Sequence, residues 1–208
     1  MSLERTWQKL VKATNPKRTW HKLTMPRKHK RIFGYFNGEG LYRDMVKRFP
    51  SGSRFVEVGC FQGRSTCYMA QLIKRSRKSI YFEVVDTFEG SDGLERMIAD
   101  KDLYGMFIEN MKQAGVLDLL NVRRLSSEEA AKTHDHESID FVYLDASHDF
   151  DSVTRDIDAW LPRIKQGGIL AGDDYHSSWQ GVIDAVNSRF AEEDIEVIGG
   201  SQWVYRKE

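Results

Sequence analysis

From residue 53 onward, short apolar runs alternate with stretches of helical periodicity, and this order constrains the fold more than any other feature. "SRFVEVG" (53–59), "SIYFEVVD" (79–86), "NVRRL" (121–125), "SIDFVYLD" (138–145) and "GGILAGDD" (167–174) read as strands. Helices are predicted between them over 64–76, 94–114, 126–133 and 150–164. The 150–164 helix carries Val153, Ile157, Trp160, Leu161 and Ile164 at helical spacing, and Pro162 bends or closes its end. A helix near 179–193 and two strands, "IEVIG" and "QWVYRK", finish the chain. This alternation predicts an α/β class, a mostly parallel sheet covered by helices on both faces. Near-continuous apolar runs in the first, second and fourth strands agree. In such sheets a ligand sits beyond the carboxyl ends of the strands.

The chain's 208 residues suit one domain with a full core. No apolar run reaches membrane-spanning length, and the N-terminus lacks a signal-peptide core. Cys60 and Cys67 have no metal-type spacing and form no disulfide framework, so the expected setting is reducing and cytoplasmic. Zero net charge hides an asymmetry. Residues 1–31 hold ten Lys/Arg against the single acid Glu4, leaving −9 on the rest. The expected organisation is a basic arm over 1–31, partly helical around Leu3, Trp7, Leu10 and Val11, and a body over 32–208. Such an arm either binds an anionic surface, nucleic acid or lipid headgroups, or docks its two Trp on the body as a solvated extension.

At the first strand exit, "VEVGCFQGRST", Gly59 and Gly63 allow a tight turn and close approach to a ligand. Ser65 and Thr66 offer a hydroxyl and backbone N–H groups at the next helix start, suited to an anion such as a carboxylate. The G-x-x-x-G spacing is not the dinucleotide fingerprint. Glu57, inside the strand, needs a partner: it orients this loop, accepts from a ligand ammonium, or is a satisfied structural carboxylate. Asp86 closes the second strand, where a carboxylate matches the vicinal diol of a ribose. Ser126 and Ser127, at the third exit, either cap a helix or meet an adenine ring.

The fourth and fifth exits hold Asp145 and the pair Asp173–Asp174. Neighbouring strands lie about 4.8 Å apart, so three carboxylates would converge. A hard divalent cation, Mg²⁺ or Ca²⁺, would resolve the repulsion. His148 and His176 lie just beyond these acids, and either is a candidate general base. The competing reading makes the acids turn and cap residues.

"FVEVGCFQGRST", "VVDTFEGSDG", "FVYLDASHDFDSV" and "KQGGILAGDDYH" together resemble class I S-adenosylmethionine-dependent methyltransferases, closest to small-molecule O-methyltransferases of the macrocin type and more distantly the catechol type. The resemblance covers about residues 33–206. It implies a Rossmann-like three-layer sandwich whose seven-stranded sheet ends in an antiparallel strand. It also implies S-adenosylmethionine as cofactor. Gly59 and Gly63 would line its methionine end, with Glu57 nearby. Ser65 would meet its carboxylate, Asp86 its ribose, and Ser126 and Ser127 its adenine. Asp145, Asp173 and Asp174 match the metal-binding acids of the Mg²⁺-dependent branch, in which catechol members carry Asn at the position of Asp174 and a lysine base at that of His148. The expected acceptor is a hydroxylated small molecule, a sugar or polyketide glycoside, walled by Tyr175, His176, Trp179 and the 88–105 segment. Family members often form homodimers. An amine-directed methyltransferase would often show an Asn/Asp-Pro-Pro-aromatic run where "DASH" stands. A nucleic-acid methyltransferase using the arm and a non-catalytic binding protein of the same fold are the remaining alternatives.

Overall fold

The computed structural model describes residues 27–90 and 101–208. The expected helix near the N-terminus and the part of the 94–114 helix before residue 101 lie outside them. Seven strands form one sheet in the order β3-β2-β1-β4-β5-β7-β6. They are β1 (Arg54–Val58), β2 (Tyr81–Val85), β3 (Leu120–Arg123), β4 (Ile139–Leu144), β5 (Ile164–Gly172), β6 (Ile195–Ile198) and β7 (Gln202–Arg206). β1 to β5 pair in parallel, and β7 runs antiparallel between β5 and β6. This is the sheet the family resemblance implies. The order reverses at β1/β4, so the site is expected at the exits of those strands.

The helices are α1 (Glu39–Arg48), α2 (Arg64–Ser76), α3 (Leu103–Ala114), α4 (Ser127–Lys132), α5 (Phe150–Trp160) and α6 (Gln180–Arg189). α1 to α3 bury Tyr42, Tyr68 and Phe107 on one face of the sheet, against Phe55, Phe141 and Tyr143. α4 to α6 bury Ala130, Ile157, Trp160 and Val186 on the other, against Val56, Val58 and Val142. Alternate residues of β1 and β4 thus serve opposite cores, as the strand period of two requires. Among the described residues no helix is long and apolar enough to cross a membrane. A 3₁₀ turn, Lys28–Arg31, joins the basic stretch to the body. His29 is buried there with its ring 4.8 Å from that of Tyr68, and Lys28 Nζ donates to the Ala114 carbonyl at 2.9 Å.

Two boundaries differ from the periodicity. α5 stops at Trp160 because Pro162 cannot donate into the ladder, and Leu161–Arg163 is a 3₁₀ turn. β5 therefore starts at Ile164, ahead of the Gly-Gly pair, which becomes an irregularity in its pairing with β4.

One buried charge lies far from the strand exits. Glu83 on β2 is 1% exposed and meets His134 Nε2 at 2.9 Å, Asn121 Nδ2 at 2.7 Å and Arg123 Nη1 at 3.8 Å. Burial alone would raise its pKa, but the hydrogen bonds and charges of His134, Asn121 and Arg123 outweigh this and hold it below the usual value. A depressed carboxyl pKa stabilises the fold above the unfolded-state value, and that contribution is lost as pH falls through the folded-state one. His134→Ala is expected to cost about 3 kcal/mol at pH 7, with the deficit shrinking toward pH 4. Urea unfolding across pH measures this, and a neutral-pH loss below about 0.5 kcal/mol would contradict it.

Candidate active site

The loop after β1 is shaped by its neighbours. Gly59 has φ 81°, and a Cβ built on it would lie 2.1 Å from the Asp145 carbonyl oxygen. The two strand exits approach too closely there for a side chain. Gly63, at the start of α2, has φ 87°, and its Cβ would meet Met111 at 2.5 Å and Phe107 at 2.9 Å. Gly63 thus serves the contact of α2 with α3. Asp86 fixes the loop from beneath: Oδ2 accepts from the N–H groups of Cys60 (2.8 Å) and Phe61 (3.0 Å), and Oδ1 from that of Phe88 (2.7 Å). Glu57 accepts from the Tyr42 hydroxyl at 2.7 Å and from the Thr66 hydroxyl. Burial raises its pKa, against those bonds and one from Ser65. Of the readings open for Glu57, the structure supports a carboxylate satisfied by protein groups, standing behind the loop and outside the cleft walls.

Two adjoining clefts open at the strand exits. The first, about 270 Å³, lies across β1 to β4 and is lined by Asp86, Leu125, Ser126, Ser127 and Asp156. The second, about 680 Å³, is lined by Phe33, Tyr35, Arg64, Ser65, His148 and Trp179. Gly59 and Asp145 lie on the walls of both and form the ridge between them. Ser126 and Ser127 lie on the first wall and also hold structure. Ser126 forms a reciprocal cap with Glu129, and the Ser127 hydroxyl accepts from Trp160 Nε1 at 2.9 Å.

The convergence of acids takes a different membership from the one expected. Asp145, His148 and Asp174 each place a ligand atom within 4.8 Å of the others. His148 Nε2 is 2.9 Å from Asp174 Oδ2, and its ring stacks on Trp179 with centroids 4.1 Å apart. Asp174 sits at φ 62° and faces His148, whereas Asp173, just after β5 and also on the wall of the second cleft, is hydrogen-bonded by residues of the β6–β7 connection. Asp173 Oδ1 accepts from Ser201 Oγ (2.6 Å), Gln202 Nε2 (3.1 Å) and the Asp174 N–H (2.8 Å). Burial and the nearby charges of Asp173, Asp174, Glu57 and Asp86 push Asp145 well above the usual carboxylate range. Two carboxylates and an imidazole fit a divalent ion, the nitrogen moving the preference away from Ca²⁺ and Mg²⁺ toward a first-row ion such as Mn²⁺.

Of the expected acceptor residues, Trp179 lines the second cleft. Tyr175 and His176 line neither cleft. The Tyr175 hydroxyl donates to Asn187 Oδ1 at 2.8 Å, and His176 Nδ1 lies 3.2 Å from Ser178 Oγ. The sequence reading omitted the aromatic run "IFGYFNG" (32–38), which supplies Phe33, Tyr35, Phe36 and Asn37 to the second cleft. Tyr35 is 97% exposed, an unusual setting for an aromatic so near a core, and this shows only in the structure.

Strand order, glycine turn and the acids at the strand exits define the class I S-adenosylmethionine-dependent methyltransferases. The chain belongs to the methyltransferase-domain family, whose match spans residues 56–175, more than half its length. No curated protein matches it. Among solved structures it is similar to the O-methyltransferase NovP (17% identity, TM-score 0.67, covering 82% of this chain and 79% of that one). It is also similar to an O-methyltransferase from Bacillus cereus in complex with SAH (16%, TM-score 0.62, 98% and 99%). A third similar structure is a SAM-dependent O-methyltransferase from Thermotoga maritima (13%, TM-score 0.61, 88% and 71%).

Proposed function

We propose that the protein methylates an oxygen of a hydroxylated small molecule, with a divalent ion held by Asp145, His148 and Asp174. The observation that carries this reading is the position of those three side chains, where a nucleoside-sized cleft meets a larger, aromatic-walled one. The first cleft suits the adenosine of the cofactor. Ser65 and the first turn of α2 suit its carboxylate, placing the sulfonium near the Gly59–Asp145 ridge. The bound cofactor would supply an electrophilic methyl carbon on sulfur. Its methyl would pass to an acceptor hydroxyl oxygen as the carbon–sulfur bond gave way, with the hydroxyl's proton released, giving a methyl ether and S-adenosylhomocysteine. Much of the rate then comes from positioning. Trp179, Tyr35 and Phe33 offer ring faces on which a sugar or other ring can stack. With its lone-pair nitrogen on the ion, His148 would have no acceptor left for the proton of the attacking hydroxyl, which would pass to water. A bound divalent ion would lower the pKa of the acceptor hydroxyl.

Calorimetric titration of S-adenosylmethionine, with Mg²⁺ and then with EDTA, tests the cofactor and metal parts separately. Saturable cofactor binding in both, with a separate heat from Mg²⁺, is expected. Absence of cofactor binding would overturn the reading. His148→Gln is expected to lower methyl transfer about a hundredfold with S-adenosylhomocysteine affinity unchanged. A loss confined to cofactor affinity would remove His148 from the transfer step. The +9 arm supports a second reading, a nucleic-acid acceptor. It requires salt-sensitive RNA binding that disappears on deletion of residues 1–31.

A further inference from the structure

Arg64 is a cation on the wall of the second cleft that none of the preceding roles uses. Among the described residues lining that cleft it is the sole Lys or Arg, against the three carboxylates Asp145, Asp173 and Asp174. It opens α2, is half-buried, and directs its guanidinium at the aromatic run, where Nη1 donates to the Gly34 carbonyl at 2.7 Å. A Cβ built on Gly34 would lie 3.7 Å from the Phe61 ring and 3.8 Å from the Arg64 Cβ, so Phe61 and Arg64 flank this segment together. Arg64 makes no ion pair among the described residues, and its buried Nε lacks an acceptor. A guanidinium carries five N–H donors, so this one has capacity to spare and a charge with no counter-charge.

The cleft's acids do not supply that counter-charge. Asp174 faces His148, Asp173 is held by Ser201 and Gln202, and Asp145 converges with Asp174 and His148. The amino-acid end of the cofactor does not need the guanidinium either. Its carboxylate is accompanied by its own ammonium, and Ser65 with the first turn of α2 suits it. A ring stacked on Phe33, Tyr35 or Trp179 would cover Arg64 further from water. A neutral ring would leave the charge unpaired, whereas a carboxylate on the ring would match the flat guanidinium with charge-assisted hydrogen bonds.

We propose that the methyl acceptor is a hydroxylated ring acid and that Arg64 determines this specificity: its guanidinium pairs with the acceptor's carboxylate while the hydroxyl is presented to Asp145, His148 and Asp174. This rests on the methyltransferase reading above. A neutral analogue of the same shape buries the guanidinium without a partner, and a site with a polar group left unpaired discriminates strongly against such a ligand.

The test is calorimetric titration of the full chain, saturated with S-adenosylhomocysteine in the presence of Mn²⁺, with 3,4-dihydroxybenzoate and with its uncharged amide, 3,4-dihydroxybenzamide. The native protein is expected to prefer the acid by at least about tenfold. In Arg64→Gln the acid should weaken to the affinity of the amide, while the amide and S-adenosylhomocysteine stay within about threefold of their native affinities. Arg64→Lys keeps the charge without the planar fork and should narrow the preference, even where the glutamine variant fails to fold. An undiminished preference in either folded variant overturns the inference. An equal weakening of both compounds in Arg64→Gln also overturns it, because that is the mark of a residue that only holds Gly34. So do equal affinities in the native protein, binding of neither compound, and a loss confined to S-adenosylhomocysteine, which would give the guanidinium to the cofactor. Failure of the native protein to bind S-adenosylhomocysteine overturns the methyltransferase reading and this inference with it.

Discussion

Asp145→Asn is expected to reduce methyl transfer by at least about a hundredfold while making the protein more stable. The two effects share one cause. Asp145 ends β4 on the ridge between the clefts, and its charge is opposed by burial and by Asp173, Asp174, Glu57 and Asp86. Its raised pKa means the folded chain binds the proton more tightly than the unfolded one. Stability conferred by this group therefore falls as pH rises from the unfolded value, near 4, toward the folded one. At pH 7 the charge works against the fold, and the neutral amide removes that penalty, worth about 1 kcal/mol after solvent screening. The backbone N–H of Asp145 donates to the Val58 carbonyl at 2.8 Å, so the substitution leaves the strand exit anchored.

Three measurements separate the parts of this prediction. Thermal unfolding at pH 7 should show a rise of a few degrees, vanishing at pH 4. Titration with S-adenosylhomocysteine should give affinity within a few-fold of the native protein. Titration with Mn²⁺ alone should lose saturable binding, because Asp145 is one of the three groups that converge there among the described residues. Retained Mn²⁺ binding together with unchanged turnover would sink the metal-site reading.

The sheet was legible because each strand announces itself locally. "RFVEV", "YFEVV" and "IDFVYL" are apolar runs bounded by turn residues, and alternation with helices leaves a parallel sheet as the consistent assembly. The glycine turn and the acids at the exits were legible for the same reason: each lies where its strand ends. Which acids converge was not. Asp173 and Asp174 are adjacent in sequence, and only the tertiary partners of Asp173, Ser201 and Gln202 in the β6–β7 turn, divert one and leave the other facing His148. Glu57 was ambiguous because its partners come from α1 and α2, with no sequence spacing to advertise them. Arg64 was hidden at the start of an amphipathic helix, where a basic residue reads by default as solvated surface.

Gly59→Ala is expected to weaken S-adenosylhomocysteine binding by about a hundredfold and to destabilise the fold by about 3 kcal/mol. Two separate costs meet at this residue. At φ 81° an L-residue is strained by about 1–2 kcal/mol. The added methyl would also lie 2.1 Å from the Asp145 carbonyl oxygen and 2.7 Å from the Ala146 Cα. Those neighbours are backbone, so no rotamer change relieves the overlap, and the β1 and β4 exits must move apart. That movement would pull on the bond from the Gly59 N–H to the Val85 carbonyl and displace Cys60 and Phe61 from Asp86. Gly52 supplies the control. It has φ 90°, and nothing lies within 4 Å of its would-be Cβ. Gly52→Ala should carry the strain alone, about 1 kcal/mol, with cofactor affinity intact. The difference between the two variants, read by urea unfolding and calorimetry, isolates the contact with the Asp145 backbone. If both lose equal stability and both keep native affinity, the ridge between the clefts tolerates a side chain, and the close approach of the two strand exits does not shape the site.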